Sequence, residues 1–379
     1  MQQLICADRV LTGHGWLEAG AVGVSAGRVE WVGSAAGAPH AQQRIELGDA
    51  ILAPGFIDLQ VNGGGGVLFN DDRSPQALAR IAAAHRHFGT TGFLATLISD
   101  TPGATAEAVQ ATRNALAIGT PGLLGLHLEG PFLAAERRGV HRAEHFREPS
   151  DNDIGALCAH GLQHLLITVA PEHIRPAQIQ RLCDAGIRLS AGHSAASFEQ
   201  ALAAFAAGLS GVTHLFNAMP SLAGRAPGLL GAALLNRAVW CGLIVDGHHL
   251  HPASLQLAVQ MRPGRCFLVS DAMSPVGSDI DEFVLDGRKV HVRNGRLETE
   301  QGVLAGACLD MSLAVRNCLA QSGLPLDEVL RMASTYPADF LGARERGRIE
   351  VGVYADLVQL SPELEAVATW INGEHVVKR

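Results

Sequence analysis

Eight short apolar runs, each followed by a polar or Ala/Leu-rich stretch, constrain the fold of this chain more than any other feature. They are FIDLQVN, GFLATLI, LLGLHLEG, HLLITVA, IRLSAGH, GVTHLFN, WCGLIVDG and CFLVSDA, near residues 58, 95, 126, 167, 190, 213, 243 and 269. Between them lie SPQALARIAAAHRHF, TAEAVQATRNALA, PAQIQRLCDAG, SFEQALAAFAAG and PASLQLAVQM, whose apolar residues recur at helical spacing. Strands alternating with helices at this rhythm predict βα units and a parallel sheet. Eight units with nearly continuous apolar strands favour a closed (β/α)8 TIM-like barrel over an open sheet, because a parallel sheet must be covered on both faces.

A barrel of this kind takes roughly 250 residues, and the chain has 379. The surplus lies at the two ends. LICADRVLT, AVGVSAGRVEWVG and QRIELGDAILAPG alternate apolar and polar residues between Gly-rich turns, as do GRIEVGVYADLVQLS and AVATWINGEHVVKR. The expectation is a small β-sandwich domain assembled from residues 1–52 and 345–379, around a barrel domain of residues 53–344. EFVLDGRKVHVRNGRLE, after the eighth strand, reads as a hairpin with turns at Asp286-Gly287 and Asn294-Gly295. Helices at MSLAVRNCLA and LDEVLRMASTYP follow.

Composition excludes several classes. At 47% hydrophobic and 17% charged, the chain is too apolar to be disordered. A net charge of −8 argues against nucleic acid as the partner. No run of about 18 apolar residues predicts a membrane span. The start, MQQLICADRV, has no secretory pattern. Seven scattered cysteines without a CxxC pair read as reduced thiols, so a cytoplasmic protein is expected.

In such a barrel the chemistry sits at the C-terminal ends of the strands. Those ends carry Asp58, Gln60 and Asn62 on the first strand, and His127 and Glu129 on the third. His193 falls on the fifth, His214 on the sixth, Asp246 with His248 and His249 on the seventh, and Asp271 on the eighth. Glu129, His193 and His214 form a set of two imidazoles and one carboxylate, which suits a divalent metal with an open position. Asp271 reads either as a turn or cap residue or as a general acid/base facing that metal. His127 shares the face of Glu129; it is either a partner of the ligands or a core histidine. Gly63 to Gly66 fit neither a Walker loop nor GxGxxG, and read as a flexible turn.

Taken in order, several segments resemble the amidohydrolase superfamily, and more finely its N-acetylglucosamine-6-phosphate deacetylases. They include Pro54-Gly55-Phe56-Ile57-Asp58, Leu128-Glu129-Gly130-Pro131-Phe132, Gly192-His193-Ser194 and Thr213-His214-Leu215-Phe216-Asn217-Ala218-Met219. Asp246-Gly247-His248-His249, Ser270-Asp271-Ala272 and Leu304-Ala305-Gly306-Ala307 continue the likeness, which spans essentially the whole chain. It implies metal-assisted hydrolysis of an acetamido group, with Asp271 as acid/base and His141 polarising the carbonyl. It implies substrate phosphate held by Arg225, His249 and the backbone N–H groups of Asn217 and Ala218, with Arg225 reaching across a homodimer. The superfamily pattern has His-x-His on strand one. Here Gln60 and Asn62 stand there, and amide oxygens are poor zinc ligands. One ion per chain follows, held by Glu129, His193 and His214; the ligands favour zinc, with iron, cobalt or manganese able to fill the same set. The expected reaction turns N-acetylglucosamine 6-phosphate into glucosamine 6-phosphate and acetate. The alternatives are the N-acetylgalactosamine 6-phosphate epimer and a dihydroorotase-like cyclic amidase.

Overall fold

The computed structural model describes residues 1–377. Its centre is an eight-stranded parallel barrel. The strands are Phe56–Val61, Thr90–Ile98, Leu123–Glu129, Leu165–Val169, Arg188–Ala191, Gly211–Val212, Trp240–Leu243 and Cys266–Leu268, hydrogen-bonded in sequence order. All eight coincide with the apolar runs. The last strand returns to the first through the N–H groups of Asn62 and Gly63, which donate to the Ala272 carbonyl at 2.9 and 3.0 Å. The expected (β/α)8 architecture is therefore present.

Local signals explain where the outer helices begin. Ser74 and Thr101 accept from the backbone N–H groups of Ala77 and Ala104, capping helices Pro75–Arg86 and Pro102–Ala117. Proline opens each of these helices, as it does Pro176–Asp184 and Pro252–Met261, where its missing N–H costs nothing. Two helices escaped the periodicity argument. Gly228–Leu235 reads GLLGAALL and is buried over nearly all of its length, so it has no polar face to set a period. Asp151–Cys158 is short and contains Gly155; a capping box between Ser150 and Asp153 holds its start.

The chain ends share a second sheet. Gln3–Thr12, Gly15–Ser25, Arg28–Ser34, Gln43–Glu46 and Ile51–Pro54 come from the N-terminal side. Leu357–Leu360, Ala366–Ile371 and Glu374–Val377 come from the C-terminal side. Ile51–Pro54 joins the two groups, pairing with Gln3–Thr12 on one edge and Leu357–Leu360 on the other. Ile5, Val10, Val22, Leu52, Leu357 and Trp370 form its core. Gly55 links this sheet to the first barrel strand. A Cβ there would lie 2.1 Å from Thr91 Oγ1, so only glycine fits.

The expected hairpin after strand eight is a three-stranded antiparallel sheet of Glu282–Leu285, Arg288–Arg293 and Arg296–Thr299. Its turns use the anticipated pairs, with φ of 51° and 76° at Asp286-Gly287 and 53° and 75° at Asn294-Gly295, the geometry that matches strand twist. Leu285, Val290 and Leu297 pack against Leu68, Ile98 and Met273, which fixes this sheet over the barrel mouth. Gly63 to Gly66 are not a loose turn. Gly63–Gly64 pair with Val67–Leu68, and a Cβ on Gly63 would lie 2.3 Å from the Val67 carbonyl oxygen. His85 Nε2 donates to the Gly63 carbonyl at 2.8 Å and locks the segment to the first helix.

Candidate active site

The strand ends converge on a cavity of about 490 Å³ at the barrel mouth. Glu129 ends the third strand, His193 follows the fifth and His214 the sixth. His214 Nε2 lies 3.0 Å from Glu129 Oε1, His193 Nε2 lies 3.2 Å from it, and the two Nε2 atoms are 3.1 Å apart. Among the described residues this is the one set of three such side chains whose donor atoms all lie within 4.8 Å of one another.

The chemistry of this set fits a cation. His193 Nδ1 donates to the Arg137 carbonyl at 2.8 Å, so its Nε2 presents a lone pair. That lone pair faces an imidazole nitrogen and a carboxylate oxygen, which would repel it without a positive charge between them. A tetrahedral ion about 2.0–2.1 Å from each atom needs separations of roughly 3.3 Å, close to those seen. Burial alone would raise the Glu129 carboxyl; the neighbouring His193 and His214 rings outweigh it and hold the carboxyl well below the usual range.

Backbone strain gathers here. Of the eleven described non-glycine residues with positive φ, five lie here: His193, His214, Phe216, Ala218 and Asp271, at 49°, 32°, 78°, 51° and 51°. The left-handed region costs such residues about 1 kcal/mol or more each, and it persists where surrounding structure enforces it. The strand ends turn sharply so that their side chains face inward.

Asp271 lines the cavity beside Glu129, His193 and His214. Its Oδ1 accepts from Asn62 Nδ2 at 2.7 Å and Gln60 Nε2 at 3.0 Å. Burial, and then the Glu129 charge, push its carboxyl up to about 6. It caps no helix; its backbone turns sharply at φ 51° and its side chain enters the cavity. His141 is buried. Its Nδ1 lies 2.9 Å from Ser99 Oγ and 3.3 Å from the Ser99 backbone nitrogen, and its Nε2 lies 3.8 Å from Glu129 Oε2. Burial, with help from His193, pushes it down to about 3, so the ring is a neutral donor.

His249 is the one of three neighbouring histidines that lines the cavity. Its Nδ1 donates to Asp246 Oδ2 at 2.7 Å, leaving Nε2 free. His251 instead caps helix Pro252–Met261, and His248 is exposed. Asn217 and Ala218 also line the cavity. The Asn217 N–H donates to the His214 carbonyl at 2.9 Å, so of the two backbone N–H groups it is Ala218 that stays available. Arg225 is exposed on the loop before helix Gly228–Leu235 and does not line the cavity of its own chain.

His127 is a core histidine. It bridges Thr96 Oγ1 at 3.1 Å and Thr168 Oγ1 at 2.8 Å inside the barrel. Sequence reasoning passed over Ser99, which lies against His141, and Arg296 and Val303, which cover the cavity together with Leu304. Ser99 was findable, because it is the polar residue that directly follows the second strand.

This is the mouth of a hydrolase barrel with a Glu/His/His cluster that could bind a metal, and the amidohydrolase family model matches residues 51–376. The chain belongs to that family, in the branch of the N-acetylglucosamine-6-phosphate deacetylases, and is a hydrolase of C–N bonds. It is 41% identical over 347 residues to the N-acetylgalactosamine-6-phosphate deacetylase of Shewanella sp. (strain ANA-3), covering 91% of this chain and 86% of that one. It is 35% identical over 334 residues to the N-acetylglucosamine-6-phosphate deacetylase of Haemophilus influenzae, covering 87% of each. The crystal structure of N-acetylglucosamine-6-phosphate deacetylase from Pasteurella multocida superposes with a TM-score of 0.94 at 35% identity, over 99% of this chain and 100% of that one.

Proposed function

We propose that the protein hydrolyses the acetamido group of N-acetylglucosamine 6-phosphate, releasing acetate and glucosamine 6-phosphate. The observation that carries this is one cavity lined by the Glu129, His193 and His214 set, by Asp271 and by His249. Bond-breaking groups and an anion-binding group thus share one space. Glu129, His193 and His214 would hold a single divalent ion, zinc by ligand type. When bound, the ion supplies Lewis acidity to a carbonyl and acidifies water.

The chain's own groups do the rest. His141 Nε2–H donates to the acetamido carbonyl oxygen as that oxygen gains charge. Asp271 takes a proton from the attacking water. It then returns that proton to the amine nitrogen as the C–N bond breaks, since an amide anion is too basic to leave. A carboxyl raised to about 6 suits both tasks near neutral pH. His249 Nε2, the Ala218 N–H and the Asn217 side-chain amide face the phosphate. Arg225 completes that site from the partner in a homodimer. In support, Arg225 makes no side-chain hydrogen bond or ion pair among the described residues, and Leu222 beside it is 52% exposed.

A second reading has a specific observation behind it. The Shewanella relative at 41% identity is named for the galacto epimer, and one hydroxyl needs only one changed contact. We place the protein in the cytoplasm, with its seven cysteines free of disulfides. No helix among the described residues is long and apolar enough to cross a membrane. The test is acetate release by zinc-reconstituted protein from the gluco and galacto 6-phosphates, with unphosphorylated N-acetylglucosamine in parallel. Turnover of the gluco phosphate and neglect of the free sugar is expected. A strong galacto preference selects the second reading, and no turnover of either phosphate rejects both.

A further inference from the structure

Gln60 and Asn62 stand where the superfamily pattern has metal-binding histidines, and neither amide is idle. Gln60 Nε2 donates to Asp271 Oδ1 at 3.0 Å and to Glu129 Oε1 at 3.2 Å. Asn62 Nδ2 donates to the same Asp271 Oδ1 at 2.7 Å. Every acceptor is a carboxylate oxygen, so each amide must turn its NH2 toward it. Asp271 Oδ1 therefore holds two donors. Oδ2 has no hydrogen-bond partner among the described residues, and Asp271 lines the cavity. Gln60 is 2% exposed and does not line the cavity, so it reaches Asp271 from behind. The Asp271 backbone, at φ 51°, turns the side chain into the mouth but does not fix its terminal torsion.

We infer that Gln60 and Asn62 are positioning residues, a pair of amides that pins Asp271 Oδ1 and leaves Oδ2 as the single oxygen that exchanges protons with water and amine. This rests on the reading of Asp271 as the acid/base. The proton arrives on Oδ2 from water and leaves from Oδ2 to nitrogen, so the carboxyl need not rotate between the two transfers. The terminal torsion of an aspartate is otherwise broad, and a displacement near 1 Å at the reacting centre costs on the order of 10²-fold. The Gln60 bond to Glu129 also sets Asp271 at a fixed place relative to the metal ligands. Strand one thus orders the site by hydrogen bonds, with no second ion.

The test is a double-mutant cycle with Gln60→Leu and Asp271→Asn, read by kcat, KM and metal content. Gln60→Leu should keep one ion per chain, hold KM within about twofold and lower kcat about tenfold or more. In the Asp271→Asn background the same substitution should change kcat by less than about twofold, because the group it positions is gone. Asn62→Asp, nearly isosteric and repulsive to Asp271, should behave likewise and carries the test if Gln60→Leu does not fold. Unchanged kcat, a loss that tracks missing metal, or full additivity in the cycle would overturn the inference. Normal turnover by metal-loaded Asp271→Asn would instead remove the acid/base reading beneath it.

Discussion

Asp356 at the base of the barrel and Asp271 at the mouth are both buried, yet the two are treated differently. Asp356 Oδ1 accepts from the Asn372 N–H at 2.8 Å, and Oδ2 takes the Arg346 guanidinium. That guanidinium also lies 4.0 Å over the Tyr354 ring, with Arg28 at 4.2 Å from the same ring. At the mouth, Asp271 has amide donors on one oxygen, no guanidinium partner among the described residues, and the Glu129 carboxylate nearby. Asp271, His193 and His214 all carry left-handed backbone. Burial raises both aspartates; at the base Arg346 opposes the rise, while at the mouth Glu129 adds to it. The base joins the terminal sheet to the barrel with satisfied charges. The mouth gathers carboxylates and imidazoles without such neutralising pairs, the kind of arrangement found where groups do chemistry.

The contrast breaks most visibly at Asp271. Asp271→Asn should lose about 10²-fold or more in kcat while keeping its ion and its unfolding midpoint; a folded, metal-loaded variant with near-normal turnover would erase the distinction. Asp356→Ala should do the reverse. Removing one partner of a buried pair costs about 3 kcal/mol, read by denaturant unfolding, with kcat per folded molecule unchanged. Arg225→Ala should raise KM for the sugar phosphate about tenfold with little change in kcat, because the contact is remote from the bond being broken. Equal KM values would exclude Arg225 from the site.

The smallest effect sharpens the comparison along the seam between strands one and eight. Asp58 is fully buried there, its Oδ1 accepting from the Gln60 and Ser270 N–H groups at 3.2 Å each, with no partner for Oδ2. Burial pushes its carboxyl up to about 7. The folded state then binds more protons than the unfolded one between about pH 4 and 7, so stability falls as pH rises through that window. Asp58→Asn removes the dependence. Its stability relative to the parent should improve by on the order of 1–3 kcal/mol from pH 5 to pH 8, measured by unfolding at both pH values. A constant difference would show that Asp58 keeps its charge inside the barrel.

The fold was legible because apolar strand runs bounded by turn chemistry repeat eight times, and period and punctuation agree at each. The convergence of Glu129, His193 and His214 was legible for the same reason: they stand at strand ends, which the barrel brings together. The rest depended on direction rather than position. Nothing in the order His248, His249, His251 says which ring turns inward, because Asp246 and a helix cap decide it. His127 and Glu129 share a strand face, yet one bridges threonines in the core and the other meets the imidazoles. The glycines at 63–66 were misread as flexible because sequence shows the missing side chains and not the carbonyl and helix packed against them. The cover from Arg296 to Leu304 was invisible, since no local pattern ties that sheet to the mouth.

The most direct test of a mouth built around one ion and one proton-transfer group is metal content after dialysis of zinc-loaded protein. The parent should retain close to one ion per chain, and His214→Ala close to none, with both folded by circular dichroism. Two tightly held ions in the parent, or one retained by His214→Ala, would contradict the account.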